Sequence, residues 1–260
     1  MHNHMTSDKQ LNLDISFDGR GDVLEMSRYI DLHLYHAVER SHPYYEEMLA
    51  EILRLLAEHA AGRAIYCLEL GAGTGLASME LLGQPGIRLD ALELDAKCCE
   101  LLAHYTEGRA HCIQGDAVTF KGETPYDVVV SVFAHDHIHY DQGRAFAANI
   151  RRNLKPGGLY IMGGEILPRY HDEASRIEAL HRYHGFIVAK ALREGHFELA
   201  QIEINALKSG VFMIGDFKRH EALFEAEMLS AAFRQRAKIK LGPQNPSDVG
   251  GVYVYVFQAI

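Results

Sequence analysis

From residue 61 onward, apolar residues come in short runs separated by stretches with helical spacing. AIYCLEL (64–70), IRLDALEL (87–94), RAHCIQ (109–114), YDVVVSVF (126–133) and LYIMGG (159–164) read as strands. LASMELLGQ, DAKCCELLAHYT and RAFAANIRRNL lie between them and read as helices, the last stopped by Lys155-Pro156-Gly157-Gly158. YDVVVSVF is too apolar to face water on either side, so it belongs inside a sheet covered on both faces. Repeated strand–helix units of this kind predict an α/β fold with a doubly wound, mostly parallel sheet.

The flanks depart from this alternation. Residues 22–39 place Leu24, Tyr29, Ile30, Leu34 and Val38 near helical spacing. A second helix follows over 41–60, with Ser41 or His42 as its cap and Pro43 in its first turn. After Leu167, residues 172–194 carry Ile177, Leu180, His184, Ile187, Val188 and Ala191 on one helical face, and another helix is expected over DFKRHEALFEAEMLSAA. FRQRAKIKL alternates Arg234, Arg236, Lys238 and Lys240 with apolar or neutral residues, as a strand with one solvated basic face does. GGVYVYVFQAI closes the sheet at seven strands, and GPQNPSDVGG can join the last two as antiparallel neighbours.

Composition narrows the classes. The chain has 260 residues, enough for one large core, and a formal net charge of -9, which disfavours nucleic acid and anionic membrane as partners. Cys67, Cys98, Cys99 and Cys112 have no CxxC or zinc-finger spacing. With no secretory signal and no apolar run of membrane-spanning length, a cytoplasmic location is expected. The opening MHNHMTSDKQ reads as a tail.

Candidate chemistry begins at LELGAGTGLAS, where Gly71, Gly73 and Gly75 separate a strand from a helix and let backbone approach a ligand. Acids recur beside it: Glu69 before the glycines, Glu93 ending the second strand, and Asp116 in QGDA after the third. A carboxylate at the end of strand two can accept from both ribose hydroxyls, and one at 116 from the exocyclic amine of adenine. The spacing is GxGxG rather than the GxGxxG of dinucleotide sites, and Glu69 would repel a pyrophosphate while suiting an ammonium and a sulfonium.

ELGAGTG, ALELD, QGDA, YDVVVSVF and NLKPGG, in this order, resemble the class I S-adenosylmethionine-dependent methyltransferases. The resemblance covers roughly 60–165 in motif detail and 215–260 more loosely. It implies that the three glycines line the methionine portion of S-adenosylmethionine, with Glu69 near its amino group. Glu93 would hold the ribose, Asp116 and Ala117 the adenine side, and Ser131 and Phe133 the wall leading to the methyl group. It also implies lid helices in the tail-bearing segment 1–60 and a helical lid insertion at about 168–214, within a methyltransferase domain of 61–260. These would bring Tyr29, Tyr35, His36, His181 and His184 toward the acceptor, with Glu165 facing the cleft at the end of strand five.

SVFAHDHIHYDQ ends strand four and carries His135, Asp136 and His137. Family members often have FALHHL here, so His137 matches the pattern while His135 and Asp136 depart from it. Three roles compete for the stretch: a metal cluster completed by an acid or by His181 and His184, general-base chemistry with Asp136 fixing a tautomer, and plain hydrogen bonding. General-base chemistry on His135, Asp136 and His137 is the expectation, with no metal assigned. His181 and His184 are also candidates for buried structural histidines. The expected activity is methyl transfer to oxygen or nitrogen of a polar small molecule, with a homodimer left open. Alternatives are a cofactor-binding protein of the same fold acting as a cyclase or regulatory subunit, a protein methyltransferase, and an NAD-dependent dehydrogenase.

Overall fold

A computed structural model describes residues 25–28, 30–244 and 249–260. Strands β1 (Ile65–Leu70), β2 (Ile87–Glu93), β3 (His111–Gln114), β4 (Tyr126–Val132), β5 (Leu154–Ile166), β6 (Phe233–Gly242) and β7 (Gly251–Ala259) form one sheet. Its order is β3-β2-β1-β4-β5-β7-β6. The first five strands run parallel, and β7 is antiparallel to both β5 and β6. The order reverses between β1 and β4, which opens a crevice beyond their carboxyl ends.

Helices cover both faces, as the apolar strands require. On one face lie α2 (Tyr45–Ala60), α3 (Leu76–Leu82) and α4 (Ala96–Tyr105), against Cys67, Val128, Val130 and Ile161. On the other lie α5 (Gly143–Asn153) and α8 (Glu221–Leu229), against Leu68, Val129, Met162 and Phe257. Successive strand residues alternate between these layers. Burying each of Met48, Leu49, Ile52 and Leu56 of α2 contributes about 1.5–3 kcal/mol. Gly163 makes that packing possible, because a Cβ there would lie 2.7 Å from Ile52 Cδ1.

Two sequence expectations change at the amino end. Among the described residues, the helix expected over 22–39 is a 3₁₀ turn at Met26–Arg28 followed by α1 (Leu32–Val38), which the Asp31 carboxylate starts by accepting from the backbone N–H groups of His33 and Leu34. The next helix begins at Tyr45, and neither Ser41 nor His42 caps it. Tyr44 precedes it in the left-handed region at φ 68°, and His42 is buried. Helices α6 (Glu173–Glu194) and α7 (Phe197–Phe212) form a hairpin after β5, with α7 also touching α1. No described helix is long and apolar enough to cross a membrane. On β6, Arg234, Arg236 and Lys238 are exposed, giving the solvated basic face expected of that strand.

Candidate active site

Two clefts open at the carboxyl end of the sheet. The first, about 1140 Å³ and partly open to solvent, is built by the β1–α3 loop, the ends of β2 and β4, and the turn after β3. Glu69, Gly71, Gly73, Glu93, Asp116, Ala117 and Phe133 all border it, so seven of the expected cofactor residues meet there. Gly71 sits at φ +65°, and a Cβ on it would fall 2.6 Å from Ala134 Cβ. Only glycine lets the loop pass there.

The acids of this cleft differ in how they are held. Glu69 is buried and accepts from Ser78 Oγ at 2.5 Å; burial pushes its carboxyl up to about 8. Glu93 accepts from the backbone N–H groups of Gly73 (2.7 Å), Leu94 (2.8 Å) and Asp95 (2.9 Å), and so ties the glycine loop to the next turn. Asp116 accepts from Val118 N at 2.8 Å, closing its own turn while bordering the cleft.

Two expected cofactor residues lie elsewhere. Gly75 is not on the lining; its φ of +90° and lack of a Cβ let the start of α3 rest on Leu102 of α4. Ser131 faces the opposite side of the sheet, its hydroxyl 2.8 Å from Tyr160 OH. The alternation of β4 explains this, since Val130 and Val132 pack toward the face that Ser131 leaves.

The second cleft, about 680 Å³, lies between α7 and the ends of β4 and β5. It shares Met26, Tyr35, Phe133 and His137 with the first. Phe133 stands in the partition in the left-handed region at φ 46°, with its ring edge-to-face on His42. The remaining lining is rich in charge: Glu39, His42, Asp136, Glu165, Glu203, Asp216 and Lys218. Lys218 Nζ lies 2.5 Å from Asp216, 3.0 Å from Glu165 and 3.4 Å from Asp136. Burial opposes the Lys218 charge, but these carboxylates outweigh it and hold the ammonium well above its usual range. Burial raises Glu39 to about 8, keeping it protonated at neutral pH.

The histidine-rich turn divides in an unexpected way. His137 lies at the junction of both clefts, and its Nδ1 donates to the Gly215 carbonyl at 2.6 Å. A carbonyl only accepts, so the proton is on Nδ1 and the Nε2 lone pair is free for chemistry. Asp136 also reaches the second cleft, with Oδ1 unpartnered. His135 borders neither: it is buried beside Phe224 and Gly164, with both ring nitrogens lacking partners. Burial lowers its pKa to about 4, so it stays neutral. Buried Arg219 shapes the turn, donating from Nη1 to the carbonyls of His135 and Ile138 and from Nη2 to that of His139, while Nε pairs with Glu227.

Among the expected acceptor residues, Tyr35 and Glu165 line the second cleft. His36 is off the lining; it stacks on Tyr105 at 3.7 Å and pairs with Thr74 at 2.8 Å, fastening α1 to the glycine loop. His184 stands behind Glu203, its Nδ1 2.9 Å from the carboxylate, and His181 is exposed on α6. Tyr29 lies outside the described residues. Sequence reasoning missed His42, Glu203, Asp216 and Lys218. His42 reads in sequence as a helix cap, and the Asp216–Lys218 pair in GDFK is the sequence signal for that part of the cleft.

Residues 67–158 match a family model described as a methyltransferase domain. No curated protein sequence matches the chain. Among solved structures, the N-methyltransferase NodS of Bradyrhizobium japonicum WM9 with S-adenosylhomocysteine shares 16% identity at a TM-score of 0.53, covering 87% of this chain and 98% of that one. A S-adenosylmethionine-dependent methyltransferase from Clostridium acetobutylicum ATCC 824 gives 10% and 0.58, over 87% and 96%. Magnesium protoporphyrin IX methyltransferase from Synechocystis PCC 6803, with S-adenosylmethionine bound, gives 8% and 0.56, over 83% and 80%. Residues 67–158 thus carry a methyltransferase-domain segment, and the fold around it is the one these S-adenosylmethionine-dependent methyltransferase structures share.

Proposed function

We propose that the protein transfers a methyl group from S-adenosylmethionine to an oxygen or nitrogen of a polar small molecule held in the second cleft. The observation that carries this is the shared partition, where Tyr35, Phe133 and His137 border both clefts at once. When bound, the cofactor supplies a methyl carbon already activated by positive sulfur. Gly71, Gly73, Glu93, Asp116 and Ala117 hold it, and Glu69 accepts its ammonium group. Methyl transfer is an in-line displacement, so alignment and exclusion of water do much of the work. Helices α1, α6 and α7 serve as the lid that supplies both.

His137 is the proton acceptor. Its Nε2 carries the lone pair, and Nδ1 is committed to Gly215. An acceptor with hydroxyl or ammonium groups suits the cleft better than an anionic one, because Asp136, Glu165, Glu203 and Asp216 outnumber Lys218 and His42, the cations among the described lining residues. The test incubates the protein with methyl-labelled cofactor and fractionated metabolites. Label in a small molecule, with equal release of S-adenosylhomocysteine, is expected. Tight S-adenosylhomocysteine binding without transfer to any fraction overturns the reading.

A further inference from the structure

His42, Glu165 and Glu203 come from three separate parts of the chain: the loop before α2, the end of β5 and the middle of α7. All three are at least nine-tenths buried, and one ligand atom from each falls within 4.8 Å of the others. His42 Nε2 is 3.1 Å from Glu165 Oε1 and 3.7 Å from Glu203 Oε1. Its approach to neither oxygen makes a hydrogen bond, and Nε2 is fully buried without a partner.

Each side chain has its far atom already held. His42 Nδ1 donates to the Pro43 carbonyl at 3.0 Å, which leaves Nε2 as the ring atom directed at the two carboxylates. Glu203 Oε2 pairs with His184 Nδ1 at 2.9 Å, leaving Oε1 toward His42. Glu165 Oε2 takes Lys218 Nζ at 3.0 Å, while Oε1 accepts from Tyr183 OH at 2.7 Å and keeps a second lone pair. Two carboxylates around one ring nitrogen call for positive charge between them, which a proton on Nε2 or a metal ion supplies. Fixing ligands through their outer atoms is how proteins build metal sites.

We propose that His42, Glu165 and Glu203 bind one divalent first-row transition ion on the floor of the acceptor cleft. Ligand atoms about 2.1 Å from a tetrahedral ion lie about 3.4 Å apart, close to the separations of His42 from the two glutamates. One imidazole with two carboxylates selects manganese, iron or zinc over magnesium or calcium. Asp136 and Asp216 stay engaged with Lys218, so the ion's remaining positions open into the cleft. An acceptor hydroxyl bound there would lose its proton more readily. That catalytic role rests on the methyl-transfer reading; ion binding does not.

The experiment titrates chelator-stripped, full-length protein with manganese(II) and, separately, zinc(II), following stoichiometry by calorimetry and the manganese signal by electron paramagnetic resonance. One equivalent is expected, with a single histidine nitrogen coupled to manganese. Affinity should fall at least about tenfold in His42→Gln and in Glu203→Gln, and persist in a His2→Ala/His4→Ala double variant that removes the two amino-terminal histidines. Circular dichroism checks folding, and the nitrogen coupling in the wild type needs no variant. The inference is overturned by absence of stoichiometric binding, by missing nitrogen coupling, or by equal affinity in folded His42→Gln and Glu203→Gln. S-adenosylhomocysteine binding, measured in the same samples, separates failure of this site from failure of the cofactor cleft.

Discussion

His137 Nδ1 donates to the backbone carbonyl of Gly215 at 2.6 Å, joining the turn after β4 to the chain leaving α7. The bond fixes which ring nitrogen can take a proton, at a point where both clefts meet. His137→Ala should therefore lower kcat by about a hundredfold or more, the usual contribution of a general base, while leaving S-adenosylhomocysteine affinity in place. Steady-state turnover and calorimetry check the two halves. Full kcat in this variant would remove His137 from the mechanism.

The Glu69 carboxyl, raised by burial to about 8 from an ordinary 4.5, holds a proton in the unliganded fold at neutral pH. Between those two values the folded chain keeps a proton that the unfolded chain has lost, so this group lowers stability as pH rises through that window. A bound ammonium favours the carboxylate and expels the proton. Cofactor binding at pH 7 should release up to one proton, with release fading above about pH 8. Calorimetry in buffers of different ionisation enthalpy measures it, and Glu69→Gln should abolish it.

Gly71→Ala places a methyl 2.6 Å from Ala134 Cβ in a backbone region hostile to side chains. The loop must shift, at a cost of about 1–3 kcal/mol. Loss of S-adenosylhomocysteine binding with a lowered urea midpoint is expected. Unchanged affinity would mean that the glycine loop does not shape the cleft.

His135 should behave as a core residue. Its folded pKa of about 4 lies below the ordinary 6.5, so it favours the fold above pH 6.5, and that contribution disappears as pH falls toward 4. The loss is on the order of 3 kcal/mol. His135→Leu should resist acid better than the wild type and retain turnover, in contrast to the His137 variant. Denaturation midpoints at pH 5 and pH 7.5, set beside kcat, decide it.

Arg219→Met strips three carbonyl contacts from the 135–139 turn and leaves buried Glu227 without its cation. The expected destabilisation is about 3–5 kcal/mol, partly recovered by adding Glu227→Leu. Urea unfolding of the single and double variants tests this.

The strands, their parallel order and the glycine loop were legible because local patterns encode them: continuous apolar runs, a GxGxG turn and acids at strand ends. Ser131 and Gly75 face away from the cleft; a motif names positions without giving their direction. His137 reaches the clefts and His135 does not, for a related reason. The chain leaves β4 in a helical turn over His135–His137 rather than as extended strand, so alternation along the sequence did not predict which ring reached the cleft. His42, Glu203 and Lys218 are far apart in sequence and meet through the loop before α2, α7 and the segment after α7, a tertiary coincidence without a local signature.

Arg219 also separates form from identity in the 135–139 turn. The guanidinium grips carbonyl oxygens, which every residue type possesses, and leaves the side chains at 136 and 137 free to face the cleft. Positions 136 and 137 can therefore be rewritten for another acceptor while the path of the main chain is retained, as type is exchanged in a fixed frame.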